Sequence, residues 1–274
     1  KTRRLDAAQR ALRLYEAVGE EIKTGDALRE LGDTLRQLNR AQEALEPLGR
    51  ALDLARRHGD RYRTAATLSR LALPQYYLGD IETARATAEE ARRILLSLGR
   101  ERDVLVLTLN LAELEGSDGN FERAIDLAQQ ALSQTSATTF AAERSTLLAN
   151  LSGYFLTLGQ IDDAILFTRE AIVASRERQE TILLAISLQR AALIGFSRGQ
   201  ASEAARLLGY VDGIFEVKGS VREPLEQREY ERLTAALRER LGDDEETLLT
   251  ASGRSLSENE ALVLASSLLD VASN

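Results

Sequence analysis

The chain contains no cysteine, no methionine and no tryptophan, and only one histidine and three prolines in 274 residues. Without cysteine there is no disulfide framework, no thiolate metal site and no cysteine nucleophile. With His58 as the single histidine, multi-histidine metal sites are excluded. No apolar run approaches the ~20 residues needed to span a bilayer, and no charged-apolar-cleavage pattern opens the chain. An excess of positive charge is also missing. The formal net charge is −8, the wrong sign for a dedicated nucleic-acid binder. Neither a membrane nor a nucleic acid is therefore expected as a partner, and the composition fits a cytoplasmic location. Lysine occurs only at Lys1, Lys23 and Lys218, so nearly all of the 35 basic residues are arginine, as expected of a GC-rich bacterial source. The chain opens on Lys1 and has no methionine anywhere, so it is expected to be an internal fragment. What remains is 44% hydrophobic and 28% charged, enough for a buried core with a solvated surface.

A 40-residue repeat organises these residues. Asn39, Gly79, Gly119, Gly159 and Gly199 stand in one column. Five residues further on come Ala44, Ala84, Ala124, Ala164 and Ala204. Seven beyond those come Ala51, Ala91, Ala131 and Ala171, with Val211 breaking the series. Upstream, Leu31, Leu71, Leu111, Leu151 and Ala191 share a phase, each followed by a small residue: Gly32, Ala72, Ala112, Ser152 and Ala192. Each repeat reads as two helices. In residues 61–98, Leu68, Leu71 and Leu78 share a helical face. Gly79 ends that helix, and Asp80 caps the next by accepting its free N–H groups. Ala84, Ala88 and Ala91 then allow a close antiparallel approach. Pro47 and Pro74 fall inside predicted helices, as kinks that tune curvature or as hinges.

The Leu-x-x-Leu-small pattern, the glycine, the alanine five later and the alanine seven beyond resemble the tetratricopeptide repeat (TPR), in a long 40-residue version. The resemblance implies an all-α, right-handed α-solenoid over residues 1–218. It comprises a half-repeat at 1–20 and repeats at 21–60, 61–100, 101–140, 141–180 and 181–218. Residues 1–18 match the second helix of an earlier repeat, so the N-terminus is expected to cut an array. Residues 219–274 lose the phase and are expected to form a helical cap. The spacing predicts a helix from Pro224 to Leu241, a short one capped by Asp243 with Glu246 and broken by Gly253, and a last one from Ser257 with Glu260 to about Val271. Glu229-Tyr230-Glu231, Leu241-Gly242, Gly253, Leu256-Ser257, Glu260-Ala261 and Leu264-Ala265 resemble the ends of bacterial regulators that join a STAND-class ATPase to a TPR array. That resemblance implies a sensor arm in signal transduction or transcription regulation, with other domains of the parent protein as partners. Leu249 and Thr250 stand where that family often has tryptophan, and the chain holds no phosphate-binding loop.

No catalytic constellation stands out, and no enzyme, cofactor or metal is expected. His58 lies in the last turn of a helix, where a cation complements the dipole. Asp162-Asp163 and Glu89-Glu90 are sequence neighbours on polar surfaces rather than two walls of a cleft.

In TPR arrays the first helix of each repeat lines the concave face, and that face binds. Residues three to four apart on those helices share the stripe. Its expected contacts are Arg70, Tyr76, Tyr77, Leu109, Asn110, Glu113, Asn150, Leu156, Arg190 and Phe196. One polar column runs through Glu30, Arg70, Asn110, Asn150 and Arg190. An amide offers a peptide unit both a donor and an acceptor. Helices spaced by ~10 Å would meet an extended peptide about once per three residues. These polar side chains either contact a ligand or hydrogen-bond one another and water between repeats. The expected occupant is a protein, peptide or small-molecule effector in a sensor, or a protein recruited by a plain interaction scaffold.

Overall fold

The computed structural model describes residues 2–270, and these form fourteen α-helices with no strand among them. In chain order they are α1 (Thr2–Ala17), α2 (Glu21–Gln37), α3 (Ala41–Arg57), α4 (Arg61–Tyr77), α5 (Ile81–Ser97), α6 (Glu101–Ser117) and α7 (Phe121–Leu132). Then come α8 (Ala141–Thr157), α9 (Ile161–Glu177), α10 (Thr181–Ser197), α11 (Ala201–Lys218), α12 (Pro224–Leu241), α13 (Asp243–Gly253) and α14 (Glu258–Leu269). The chain divides into two compact units, Lys1–Leu111 and Ala112–Asn274.

The turns follow from local chemistry. At the end of α4, the Gly79 N–H bonds the Tyr76 carbonyl at 2.8 Å and the Asp80 N–H bonds the Gln75 carbonyl at 3.0 Å. That pattern needs a left-handed residue, and Gly79 supplies φ 83°. Asp80 then accepts the Thr83 N–H at 3.3 Å, so two adjacent residues close one helix and open the next. Asn39 takes the glycine place in the first repeat at φ 59°, a conformation asparagine tolerates. The third repeat departs from the pattern. Its second helix, α7, has 12 residues where the others have at least 17. The left-handed residue slips to Phe140, at φ 55°. The Ser136 hydroxyl accepts the Thr139 N–H at 2.9 Å, a local bond that competes with helix continuation.

In the first unit α1 packs on α2, α2 on α3, α3 on α4 and α4 on α5. In the second, α7 packs on α8, α8 on α9, α9 on α10 and α10 on α11. The small-residue columns are the reason the pairs close tightly. Ala44, Ala84, Ala124, Ala164 and Ala204 are all fully buried, and Val211 substitutes for alanine without exposure. Pro47 and Pro74 lie inside α3 and α4 and are buried.

The last three helices dock on the second unit. α12 runs from Pro224 to Leu241 as its caps predict, packing on α10, α11 and α13. α13 corrects one expectation. Gly242, at φ 85°, makes the reversal, so Asp243 is already helical and its side chain caps nothing. Gly253 is the last residue of α13, the end that the spacing predicts. It brings α13 against α11, where an added Cβ would lie 1.9 Å from the Arg206 carbonyl oxygen. Gly209 answers from α11, with a Cβ that would lie 2.0 Å from the Thr250 carbonyl oxygen. Two glycines thus let the backbones touch. α14 opens with the Ser257–Glu260 capping box that the spacing predicts. It stops at Leu269, and Val271, named as its expected end, lies outside the described residues. Its final carbonyls are taken by arginines: Arg198 Nη1 donates to Leu268 at 3.0 Å and Arg169 Nη2 to Leu269 at 2.8 Å.

Candidate functional site

The polar column of the first helices divides into open and occupied positions. In the first unit, Glu30 is taken by Arg4, whose Nη2 lies 2.6 Å away. Arg70 is half-buried on α4, and its Nε is buried with no hydrogen-bond partner. Tyr76 is half-buried and Tyr77 exposed, their ring centroids 5.7 Å apart. Asn110 is half-buried on α6. In the second unit, Asn150 Nδ2 on α8 donates to Glu113 Oε1 at 3.1 Å. That bond spends one Asn150 donor on Glu113, which lies outside the polar column. Phe196 is half-buried on α10.

Three expected contact residues are not on an open surface. Leu109 and Leu156 are buried, at 8% and 6% exposure. Arg190 is fully buried, at 0%. The physical reason for Arg190 is α12, which brings two carboxylates over it. Arg190 Nε donates to both oxygens of Glu229 at 3.2 Å, and Nη2 donates to Glu226 Oε1 at 3.3 Å. Its Nη1 donates to the Ala149 carbonyl on α8. The guanidinium has room because residue 153 is glycine: a Cβ there would stand 2.6 Å from Arg190 Nη2. A glycine inside a helix costs about 1 kcal/mol against alanine, so Gly153 was the readable signal of something lying across α8.

A second latch holds the start of α12. Gln189 is fully buried beside Arg190. Its Nε2 donates to the Glu226 carbonyl at 2.8 Å, and its Oε1 accepts from Arg222 Nε at 2.7 Å. Arg222 Nη2 donates to Asp212 Oδ1 at 2.6 Å. The Arg222 guanidinium lies 4.3 Å from the Phe215 ring centroid and 4.0 Å from that of Tyr230, an aromatic sandwich. Glu226, Glu229 and Arg222 were not among the expected site residues. Their signal was the spacing Glu226, Glu229, Leu233, Leu237, one helical stripe with acids in positions that a core normally gives to apolar side chains.

The electrostatics follow from one buried arginine facing two buried carboxylates. Burial disfavours the Arg190 charge, but Glu229 and Glu226 outweigh it and hold the guanidinium above its ordinary pKa. Burial pushes Glu229 up, and Arg190 only partly opposes this because Glu226 repels it. Glu113 is exposed but flanked by protein. Desolvation raises its pKa, the Asn150 amide opposes the rise, and Glu226 and Glu223 add to it. The Tyr154 hydroxyl is buried, donates to the Ala112 carbonyl at 3.1 Å, and is pushed above its usual range chiefly by desolvation.

His58 caps α3, and its Nε2 lies 2.7 Å from Glu21 Oε2. Among the described residues no helix is long and apolar enough to cross a membrane.

The stacked helix pairs are found in solved structures of TPR-like repeat proteins. BtubC (BKLC) from P. vanneervenii is 17% identical, with 94% of each chain covered and a TM-score of 0.60. A Rap protein complexed with competence and sporulation factor is 15% identical, covering 86% of this chain and 70% of that one, with a TM-score of 0.62. A kinesin light chain with nearly identical TPR-like repeats from Podosopora anserina is 17% identical, covering 78% and 95%, with a TM-score of 0.52. The chain is thus an all-α solenoid of TPR-like helix pairs, and at these identities the likeness establishes the fold alone. No protein-family model matches the chain, and no curated protein matches it in sequence.

Proposed function

We propose that the chain is a non-enzymatic binding module that takes a protein or peptide partner on the first-helix face of its repeats. The observation that carries this reading is Arg70: a guanidinium on that face whose buried Nε has no partner within the fold, in the same column as Asn110 and Asn150. A desolvated donor without an acceptor is costly to a folded chain, and a bound ligand would satisfy it. In support, a Rap protein with helix pairs of this kind was solved in complex with competence and sporulation factor. The C-terminal resemblance supports placing the module in a STAND-type signalling regulator, as its sensor arm, with residues 219–274 as the cap of the array. Effector binding would then bias the parent between resting and active states.

The test is selection from a displayed library of random peptides against the full chain. Enriched peptides should bind, and Arg70→Ala and the pair Asn110→Ala with Asn150→Ala should each weaken them by about tenfold with folding intact. Peptides that bind all variants equally, or no enrichment at all, would remove the proposal.

A further inference from the structure

α12 covers, in the last repeat, the column that is left half-buried at Arg70 and Asn110. Gln189 and Arg190 are the counterparts of Ala149 and Asn150, one repeat on. Their polar groups are spent on α12: Gln189 on a backbone carbonyl and on Arg222, Arg190 on two carboxylates. This is how a solenoid face would hold a ligand helix. The helix shows an amphipathic stripe, Glu226, Glu229, Leu233 and Leu237, all buried.

α12 is also held so that it can leave. It is flanked by Gly219 at φ 59° and Gly242 at φ 85°, both in open space. Its neighbours in sequence, α11 and α13, are locked to each other through Gly209 and Gly253, without α12. α14 is anchored separately, through Arg169 and Arg198. Ion pairs hold the start of α12, with the buried Leu233 and Leu237 beyond them. One arginine is shared between two carboxylates, and Glu226 Oε2 is buried without a hydrogen-bond partner. Buried ion pairs return little net stability, because desolvation consumes the Coulombic gain.

From this arrangement we infer that α12 is a displaceable internal ligand, and that the face beneath it accepts an external acidic amphipathic helix with the same Glu-x-x-Glu-x-x-x-Leu-x-x-x-Leu stripe. This rests on the proposed binding reading and names the chemistry of the partner. A tethered helix competes at an effective concentration of roughly millimolar. The partner therefore also engages neighbouring positions of the column, such as Asn150.

The experiment uses the full chain, wild type and Arg222→Ala, with a fluorescein-labelled synthetic peptide of residues 223–241 as the probe. In the variant, amide exchange across Pro224–Leu241 should rise by about tenfold or more while α13 and α14 keep their protection. The probe should bind the variant about tenfold more tightly than the wild type, and a probe carrying Glu226→Gln and Glu229→Gln should lose that gain. Should Arg222→Ala also deprotect α8–α11, Arg222→Lys keeps the charge but loses the forked contacts to Gln189 and Asp212, leaves the face beneath α12 intact, and the same results are expected of it. Loss of α13 and α14 protection together with α12 in both variants would overturn the inference, since α12 would then be part of one folding unit. So would a released α12 with no probe binding. Enrichment of unrelated peptides by the wild-type chain, alongside that last outcome, would leave the general binding reading standing while the internal-ligand inference fell.

Discussion

Arg190 has no neutral alternative. Truncating it leaves Glu226 and Glu229 facing each other out of water. Arg190→Ala should cost about 3–5 kcal/mol, read as a lower urea midpoint. Arg190→Lys should recover little, because an ammonium cannot reach both carboxylates and the Ala149 carbonyl as the planar fork does. Gly153→Ala tests the same site from the other side. In an open helix this change adds about 0.5–1 kcal/mol of stability. Here the methyl group displaces the guanidinium, so a loss of about 1–3 kcal/mol is expected. Glu113 gives a pH signature. Its folded pKa is raised, so its stabilising proton is fully present below the ordinary carboxylate range, about pH 4, and is lost as pH rises through the folded value. Glu113→Gln removes that loss. The urea midpoint of the variant should gain on the wild type as pH rises above the ordinary carboxylate range, and a gap that narrows with rising pH would contradict the assignment.

Helices α12 and α13 adjoin in sequence but are held by opposite means. α13 lies on α11 by backbone contact through glycines, a fit that depends on the absence of a Cβ. α12 is held by charges and two leucines. The two modes respond differently to substitution. Gly209→Ala drives a methyl group into the Thr250 carbonyl and should lower thermal stability by about 3 kcal/mol, since backbone cannot yield as a side chain can. Gly213→Ala, one turn further along α11, meets nothing within 4 Å and should raise stability by about 0.5–1 kcal/mol. A calorimetric comparison of the two variants separates close helix crossing from helix propensity. Equal effects would mean that the crossing is not tight.

Within each unit the repeat helices pack mainly on their sequence neighbours, while α13 and α14 reach back to α11 and α10, so stability is expected to be a sum of local terms and interfaces between adjacent helices. A lesion at Arg190 should therefore fade along the chain. Hydrogen exchange of Arg190→Ala should rise across α8 to α14, while α1 to α3 exchange as in the wild type. A uniform rise from α1 to α14 would show a single cooperative unit instead. The net charge of −8 makes the Arg70 position more informative, because a half-buried cation on an acidic chain is where acidic groups of a partner would be drawn.

The repeat, the buried alanines and the helix ends outside α7 and the start of α13 could be read in the sequence. They depend on interactions within a few residues: the left-handed turn at Gly79, the cap at Asp80, the 40-residue recurrence of Ala84 and its equivalents. The fate of the polar column could not be read that way. Arg70 and Arg190 occupy equivalent places, yet one is half-buried without a partner for its Nε and the other is enclosed. The difference comes from Glu226 and Glu229, 36 and 39 residues away from Arg190. Gly253 could be read as the end of α13 but not as a point of backbone contact, because its neighbour there is Arg206 on another helix. Sequence by itself determined where most helices start, stop and pair, since caps and periodicity act locally. Only the tertiary structure decided which charges were desolvated and what covered them, because burial and ion pairing are set by residues distant along the chain.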